Sequence, residues 1–429
     1  MFDKSEHPVP LPETDSPIDF ARLFNVCRVT LRALGVFTIN EIFSKSKRKI
    51  WDMKALYYIF WLFPTFFANF SEFRSVLGFW ETDVYYALEV TTAVLSGVIV
   101  MAQGFFVYHS RNDLLILIAE IRQLWQKQLA RNVADVIVKK VKRAKFFTQV
   151  YATLIILLAI TYSVRPFLLL LTHVISGKNE TYDMSQTVFQ AIYPWKLDNF
   201  YKYIVHITAE TVVFVNVSAS WIGADMIFLQ LATHLAAQYQ ILHDDLIAVG
   251  SGDDPATIQY TPVEQLNSMG KRHAHLLLLS DKFQKIFSPI LLVLMLVTSV
   301  NICICIINLQ EELMQQNLAG VNKCAVHTII AMIQPAIYCV YANDLVEWAE
   351  LTAIAAYTCQ WVDKTRYFRH SVRLITMRAQ EALPFRIYGF FSVDLNLLTQ
   401  VGPIIRIKII SIFEQRFFIV VQKLPERDL

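Results

Sequence analysis

Glycine and proline are scarce in this chain, at 12 and 14 of its 429 residues. This shortage argues against a low-complexity linker and against a fold built from many tight turns, and it favours long helices. Charged residues are also few: they make up 17% of the chain, against 55% that are hydrophobic, and the mean hydropathy is +0.40. Because soluble domains usually carry about 25% charged residues, we expect a lipid bilayer to surround most of the protein.

The sequence also lacks the motifs that indicate catalysis, since it contains no nucleophile elbow, no HExxH motif and no phosphate-binding loop. We therefore predict that the protein is not an enzyme and needs no cofactor. A net charge of only +3 gives no reason to expect a nucleic-acid partner. His273 and His275 flank one alanine, but an isolated pair is a weak metal signal, and a solvated segment is the better interpretation.

None of the six cysteines shows the CxxC spacing of a metal site. Most are expected to be small core residues. A disulfide between Cys305 and Cys324 is possible if both lie at the outer face of the membrane.

Apolar runs of about 20 residues can cross a bilayer as helices, because a helix satisfies its own backbone hydrogen bonds. The chain contains seven such runs, which predicts an all-α, polytopic membrane protein. The predicted spans are Trp51 to Phe70, Val84 to Tyr108, Phe147 to Leu171, Tyr203 to Leu229, Ile286 to Asn308, Ala325 to Ala342 and Leu397 to Val421.

The distribution of positive charge predicts the orientation of these spans. The N-terminal tail carries eight Lys and Arg residues, the second connecting segment nine and the sixth six, whereas the odd-numbered segments and the C-terminal tail together carry seven. Because Lys and Arg are retained on the cytosolic side, we predict a cytosolic N-terminus and an extracellular C-terminus. This is the reverse of the arrangement in a G-protein-coupled receptor.

Amphipathic patterns predict that several helices continue beyond the membrane. A helix start is expected at Thr261, where Pro262 and Glu264 complete the pattern of a capped N-terminus. The predicted organisation is a cytosolic tail (1–50), a transmembrane domain (51–421) with cytosolic helical extensions (109–146, 230–285 and 343–396), and a short extracellular tail (422–429). Asn179 lies in a sequon of the third connecting segment and is a predicted glycosylation site.

The seventh predicted span differs from the other six because it carries charged residues. Arg406, Lys408, Glu414 and Arg416 would each be costly in lipid. The segment therefore either lines an aqueous path or does not cross the membrane.

Aromatic and mildly polar residues are concentrated in the outer halves of three spans. Such a mixture suits a small amphipathic ligand, which apolar walls would bury and a few polar groups would orient. For the tyrosines the alternative is anchoring at the membrane interface, and for the charged residues it is pairing within a helix. The candidate ligand-binding residues are Tyr85, Tyr86, Glu89, Tyr162, Tyr203, His206 and Glu210.

The C-terminal third resembles the insect odorant receptors, in particular their variable ligand-tuning subunits. The resemblance begins at Tyr338–Leu345 (YCVYANDL), continues through Ala355, Ala356, Tyr357 and Trp361, and then through Arg369, Leu374, Met377, Gln380, Pro384 and Gly389–Val393 (GFFSV). The sequence departs from the family pattern at Ala342 and Ala349, and again after Leu397, where the family's tyrosine-containing ending of the last span is missing.

The resemblance implies an odorant-gated cation channel in the plasma membrane of sensory neurons. This subunit would assemble with a common co-receptor into a tetramer and bind a small volatile organic ligand, while the last span would line the pore. Arg406 and Lys408 would oppose cation entry if they faced that pore. The alternatives are a G-protein-coupled chemoreceptor and a membrane transporter. The motifs typical of the former and the inverted repeats typical of the latter are both missing from the sequence.

Overall fold

The computed structural model describes residues 53–130, 134–176, 182–249 and 261–381, together with Thr30 and the short pieces 385–387 and 391–392. Eight long or medium α-helices follow one another within these ranges. They are α1 (Met53–Phe79), α2 (Val84–His109), α3 (Arg111–Ala130), α4 (Ala134–Ser176), α5 (Phe200–Ala248), α6 (Pro262–Met314), α7 (Leu318–Thr358) and α8 (Arg366–Gln380).

Each of the first six predicted spans falls within one helix, apart from residues 51 and 52, which are not described. Among the described residues, five helices are long and apolar enough to cross a membrane: α2, α4, α5, α6 and α7. The helix α1 has 27 residues and is therefore about 40 Å long. The predicted seventh span, the N-terminal tail of residues 1–50 except Thr30, and Asn179 lie outside the described residues.

The outward face of α1 is aromatic rather than polar. Its phenylalanines recur every three or four residues and are between 46% and 69% exposed. In water such a stripe would be an aggregation hazard, whereas in lipid it is the expected surface. The stripe consists of Phe60, Phe63, Phe66, Phe70 and Phe73.

The helices α5 and α6 have 49 and 53 residues and measure about 75 and 80 Å. Both are more than twice the thickness of the hydrocarbon core, which is about 30 Å. The second half of α5 is closely packed, since every residue from 222 to 239 is buried. Other helices enclose this stretch, and α2, α4, α6 and α7 all pack on α5. Most of its residues are apolar, and its few polar side chains, such as Asp225 and Gln238, are buried with them.

The predicted helix start at Thr261 is confirmed. The hydroxyl of Thr261 accepts a hydrogen bond from the Glu264 backbone N–H, and the Glu264 carboxylate accepts one from the Thr261 backbone N–H. Pro262 occupies the first helical position, where its missing N–H costs nothing.

The predicted all-α fold is confirmed for the described residues, whose regular structure is helical apart from one short antiparallel pair. This pair, β1 (Arg386–Ile387) with β2 (Phe391–Ser392), follows α8. Phe385, just before β1, packs on Phe283 with the ring centroids 5.5 Å apart, which returns the chain to the core.

The prediction that His273 lies in a solvated segment was wrong, because the residue is only 3% exposed. Burial lowers the pKa of its imidazole to about 4.

Candidate ligand-binding cavity

A cavity of about 150 Å³ lies among α1, α2, α4, α5, α6 and α7, and a loop between α4 and α5 covers it. We call residues 182–199 the covering loop. Apolar side chains dominate the wall, and a few polar groups interrupt it. The lining residues are Thr65, Ala68, Asn69, Glu72, Ala93, Ser96, Gly97, Ile99, Val100, Ile155, Leu158, Ala159, Tyr162, Val188, Phe189, Gln190, Phe214, Val217, Ser218, Trp221, Thr298, Asn301, His327, Ile330, Ala331 and Gln334.

Small residues on facing helices create this space. Ala68, Ala93, Ala159 and Ala331 each place a single methyl group where a larger side chain would fill the void. Gly97 allows α1 to approach α2 closely, because a Cβ atom at that position would overlap the Asn69 side chain.

Most polar groups of the wall already have partners in the protein. The Asn69 amide donates to the Val94 carbonyl oxygen at 3.0 Å, and Asn301 donates to the Ser96 hydroxyl at 3.3 Å. The Ser218 hydroxyl donates to the Phe214 carbonyl within its own helix. These hydrogen bonds stabilise the wall.

Below the cavity a buried carboxylate joins four helices. Asp225 of α5 is 1% exposed and accepts hydrogen bonds from Tyr151 of α4 at 2.5 Å, Tyr338 of α7 at 2.7 Å and Gln103 of α2 at 2.8 Å. Gln334 of α7 donates to it at 3.1 Å and also lines the cavity. A buried carboxylate is tolerated only when donors surround it, and here the donors come from three other helices.

The covering loop is held by α5 and α2 through its backbone and side chains. The Glu210 carboxylate accepts the Val188 backbone N–H at 2.8 Å and the Tyr193 hydroxyl. Burial, together with the neighbouring Glu210 carboxylate, raises the pKa of the Tyr193 hydroxyl, so this group remains a donor. On the other side, Gln190 donates to Glu89 at 2.8 Å.

Aromatic contacts complete the attachment of the covering loop. Trp195 stacks on Phe67 of α1 at 5.7 Å, and Tyr193 lies edge-on to His206 at 4.4 Å. Phe189 reaches the cavity and packs edge-on against Phe214 of α5 at 5.7 Å. The loop is therefore an ordered part of the cavity wall.

A second void of about 50 Å³ adjoins the main cavity, and Tyr162 and His327 line both. Glu89 and Lys323 form an ion pair at its edge. Cys305 and Cys324 both line this void as free thiols. The disulfide that the sequence left open is therefore absent.

The predicted ligand-binding residues lie at three different places. Tyr162 lines the main cavity, and Glu89 lines the smaller void. His206 and Glu210 hold the covering loop, with His206 Nε2 lying 3.4 Å from the Glu210 carboxylate, and Tyr203 is fully buried where it donates to the Gln186 carbonyl at 2.6 Å.

The remaining two tyrosines lie at the outer edge of the bundle. Tyr86 packs edge-on against Phe79 at 4.9 Å in a small apolar cluster between α1 and α2. Tyr85 is 47% exposed and lies beside Glu311, whose carboxylate accepts its hydroxyl. Neither residue reaches the cavity wall.

Sequence reasoning missed Glu72, Asp225, Asn301 and Gln334. A signal was present, because the last three are polar residues inside predicted spans, where an ionisable or amide group is costly unless it faces protein or water. Within the described residues, the wall holds no nucleophile paired with a base.

Three comparisons bear on this architecture. The sequence profile of the 7tm odorant receptor family matches residues 83–403. Odorant receptor 13a of Drosophila melanogaster is 20% identical over half of this chain and 54% of its own length. The odorant receptor coreceptor of Anopheles gambiae is 25% identical over 30% of this chain and 27% of its own.

Among solved structures, the insect olfactory receptor OR5 from Machilis hrabei in complex with eugenol shares the fold. Its TM-score is 0.69 at 15% identity, and the match covers 92% of this chain and 97% of the other. The matched curated relatives are covered over only about half of their length or less. The profile, however, covers well over half of this chain, and the chain belongs to the 7tm odorant receptor family.

Proposed function

We propose that this odorant receptor binds a small volatile ligand in the cavity beneath the covering loop. The observation that carries the proposal is a mainly apolar void of about 150 Å³ among six helices, beneath the covering loop. A void of this size is known to hold a molecule such as benzene. The insect olfactory receptor OR5 from Machilis hrabei, which shares the fold, has been solved in complex with eugenol.

The chain further acts as the ligand-tuning subunit of a cation channel formed with a common co-receptor. Its resemblance to the variable subunits and its similarity to proteins named odorant receptor coreceptor support this assembly, for which we propose four subunits. A structural change caused by ligand binding in the cavity would be transmitted through α5 and α7, which run from the cavity into the packed core.

In this proposal the chain crosses the plasma membrane of sensory neurons seven times, with its N-terminus in the cytosol and its C-terminus outside. The positive charge of the even-numbered connecting segments supports this orientation. Asn179, which lies in the segment that leads to the covering loop, would then be extracellular and available for glycosylation.

The predicted ligand-binding residues take different roles under this proposal. Tyr162 contacts the ligand directly, and Glu89 acts at the edge of the smaller void. Tyr203, His206 and Glu210 act by holding the covering loop in place, while Tyr85 and Tyr86 shape the outer edge of the bundle.

A cavity-filling variant tests ligand binding at this place. Ala159 lines the cavity, and its neighbour Ile160 is 51% exposed on the outer side of α4. We expect Ala159→Phe to raise the odorant concentration for half-maximal current by 10-fold or more, because the new ring occupies the void. Ile160→Phe adds bulk on the other face and should leave the response unchanged. Equal responses from both variants would refute the location.

Two further measurements test the assembly and the topology. We expect odorant-evoked cation current when the chain is co-expressed with the co-receptor. A current of equal size from this chain alone would refute the claim that the channel requires the co-receptor subunit.

An N-terminal tag should be inaccessible to antibody in intact cells. An accessible tag would instead favour a G-protein-coupled receptor.

A further inference from the structure

Glu72 is an unusual component of the cavity wall. It lies on α1, is 5% exposed, and its side chain lines the cavity. Within the part of the chain that the structure describes, no hydrogen bond or ion pair reaches its carboxyl group. The other acidic residue nearby, Glu210, already accepts the Val188 N–H and the Tyr193 hydroxyl.

Among the described residues, no positively charged group forms an ion pair with Glu72. The ionisable groups that interact with it from neighbouring elements are Glu210 of α5, Tyr86 of α2 and Tyr193 of the covering loop. The first is acidic, and the two tyrosines are neutral. The lysine at the edge of the smaller void, Lys323, is paired with Glu89.

Buried polar groups are almost always hydrogen-bonded, because leaving one unsatisfied is unfavourable. A carboxyl group that lines a cavity and has no partner in the protein therefore requires a hydrogen-bonding partner on a molecule that occupies the cavity. An oxygen of a carboxyl group accepts hydrogen bonds in both its neutral and its ionised form. A ligand that carries an N–H or O–H donor is therefore complementary to both forms, whereas a ligand with only an acceptor can bond only to the O–H of the neutral form.

We propose that Glu72 is the polar recognition group of the cavity and that the preferred ligands are small apolar molecules with one hydrogen-bond donor: volatile alcohols, phenols or amines. The donor bonds to Glu72, and the carbon skeleton packs against apolar wall residues such as Ile99, Leu158 and Phe214. This inference rests on the proposed function and specifies the ligand class of the same cavity.

The test compares matched ligands on the receptor co-expressed with its co-receptor. The probes share one six-carbon skeleton and are a primary alcohol, a primary amine, a methyl ether and the plain hydrocarbon. A hydrogen bond to an acidic group changes affinity by about 10- to 100-fold. We therefore expect the alcohol and the amine to be at least 10-fold more potent than the ether and the hydrocarbon.

Substitutions at Glu72 separate recognition from folding. Glu72→Met removes the acceptor at similar length and should abolish the preference for donors, while the responses to the ether and the hydrocarbon persist and report an intact receptor. Glu72→Gln keeps a carbonyl acceptor and should preserve the alcohol response but weaken the amine response. Glu81→Met, at an exposed position beyond the end of α1, is the matched control and should behave as the wild type.

Several outcomes would overturn the proposal. Equal potency of the alcohol and the ether in the wild type would mean that water satisfies Glu72. A donor preference that survives Glu72→Met but disappears in Tyr162→Phe would assign recognition to the other polar end of the cavity.

A binding measurement on purified protein distinguishes this inference from the proposed channel function. If no probe evokes current in any variant, the channel proposal fails. The alcohol should still raise the Tm of the wild type and not that of Glu72→Met. Equal shifts in both proteins would refute the role of Glu72 independently.

Discussion

Replacement of Asp225 by alanine tests how much the buried network below the cavity contributes to stability. The wild-type carboxylate accepts hydrogen bonds from Gln103, Tyr151, Gln334 and Tyr338. Each buried donor that loses its partner costs about 1–3 kcal/mol. The four costs do not add fully, because Gln103 already lies 3.3 Å from the Tyr338 hydroxyl and can donate to it.

We therefore expect a net loss of roughly 3–5 kcal/mol, which is typical when one partner of a buried charged network is removed. Asp225→Asn keeps one acceptor oxygen but exchanges hydrogen bonds to a charged group for weaker neutral ones, and a loss of about 1–3 kcal/mol is expected. The order of stability should be wild type, then the asparagine variant, then the alanine variant.

The assay is thermal unfolding of the purified receptor in detergent, followed by tryptophan fluorescence. Asp244→Ala is the matched control, because this aspartate lies on the same helix with its side chain 53% exposed, and its Tm should change little. For the alanine variant at Asp225 the Tm should fall by several degrees. If both alanine variants unfold at the same temperature, the network does not stabilise the fold and the reasoning is refuted.

Three further predictions concern the covering loop, the helix contact at the cavity and the start of α6. Glu210→Gln places an amide N–H against a donor of the covering loop, so amide hydrogen exchange at residues 188–193 should accelerate by 10-fold or more. The control Asp198→Asn, at an exposed position of the loop, should leave this exchange unchanged. Gly97→Ala should lower the Tm and the odorant sensitivity, because the new methyl group overlaps the Asn69 side chain. In the control Gly270→Ala the Cβ would lie 3.5 Å from its nearest neighbour, so the Tm should stay the same or rise. Thr261→Ala removes the capping box and should cost about 1 kcal/mol, detectable as faster hydrogen exchange in the first turn of α6.

The sequence predicted those features that depend on local patterns. Apolar runs located the helices, since length and hydropathy decide whether a helix suits a bilayer. The capping residues Thr261 and Glu264 located the start of α6, because a cap acts within one turn. The family was identified from short blocks in the last third of the chain, and the profile match confirms it.

The cavity could not be predicted in the same way, because a cavity is formed where side chains are missing. Its space comes from alanine and glycine residues on helices far apart in sequence, such as Ala68, Gly97 and Ala331, and their meeting depends on tertiary packing. Polar residues near the ends of spans were chosen as ligand contacts instead. The structure places two of them, His206 and Glu210, at the attachment of the covering loop, because backbone N–H groups of a buried loop also require acceptors.

The cavity lies directly next to the packed core, and the polar residues between them connect the two. Trp221 lines the void, and the next stretch of α5, residues 222–239, is completely buried. Packed interiors respond to strain by moving between discrete arrangements rather than by deforming smoothly. Gln334 belongs to both regions, since it lines the cavity and donates to Asp225. A ligand that displaces Gln334 must therefore change the hydrogen bonds around Asp225 that join α2, α4, α5 and α7.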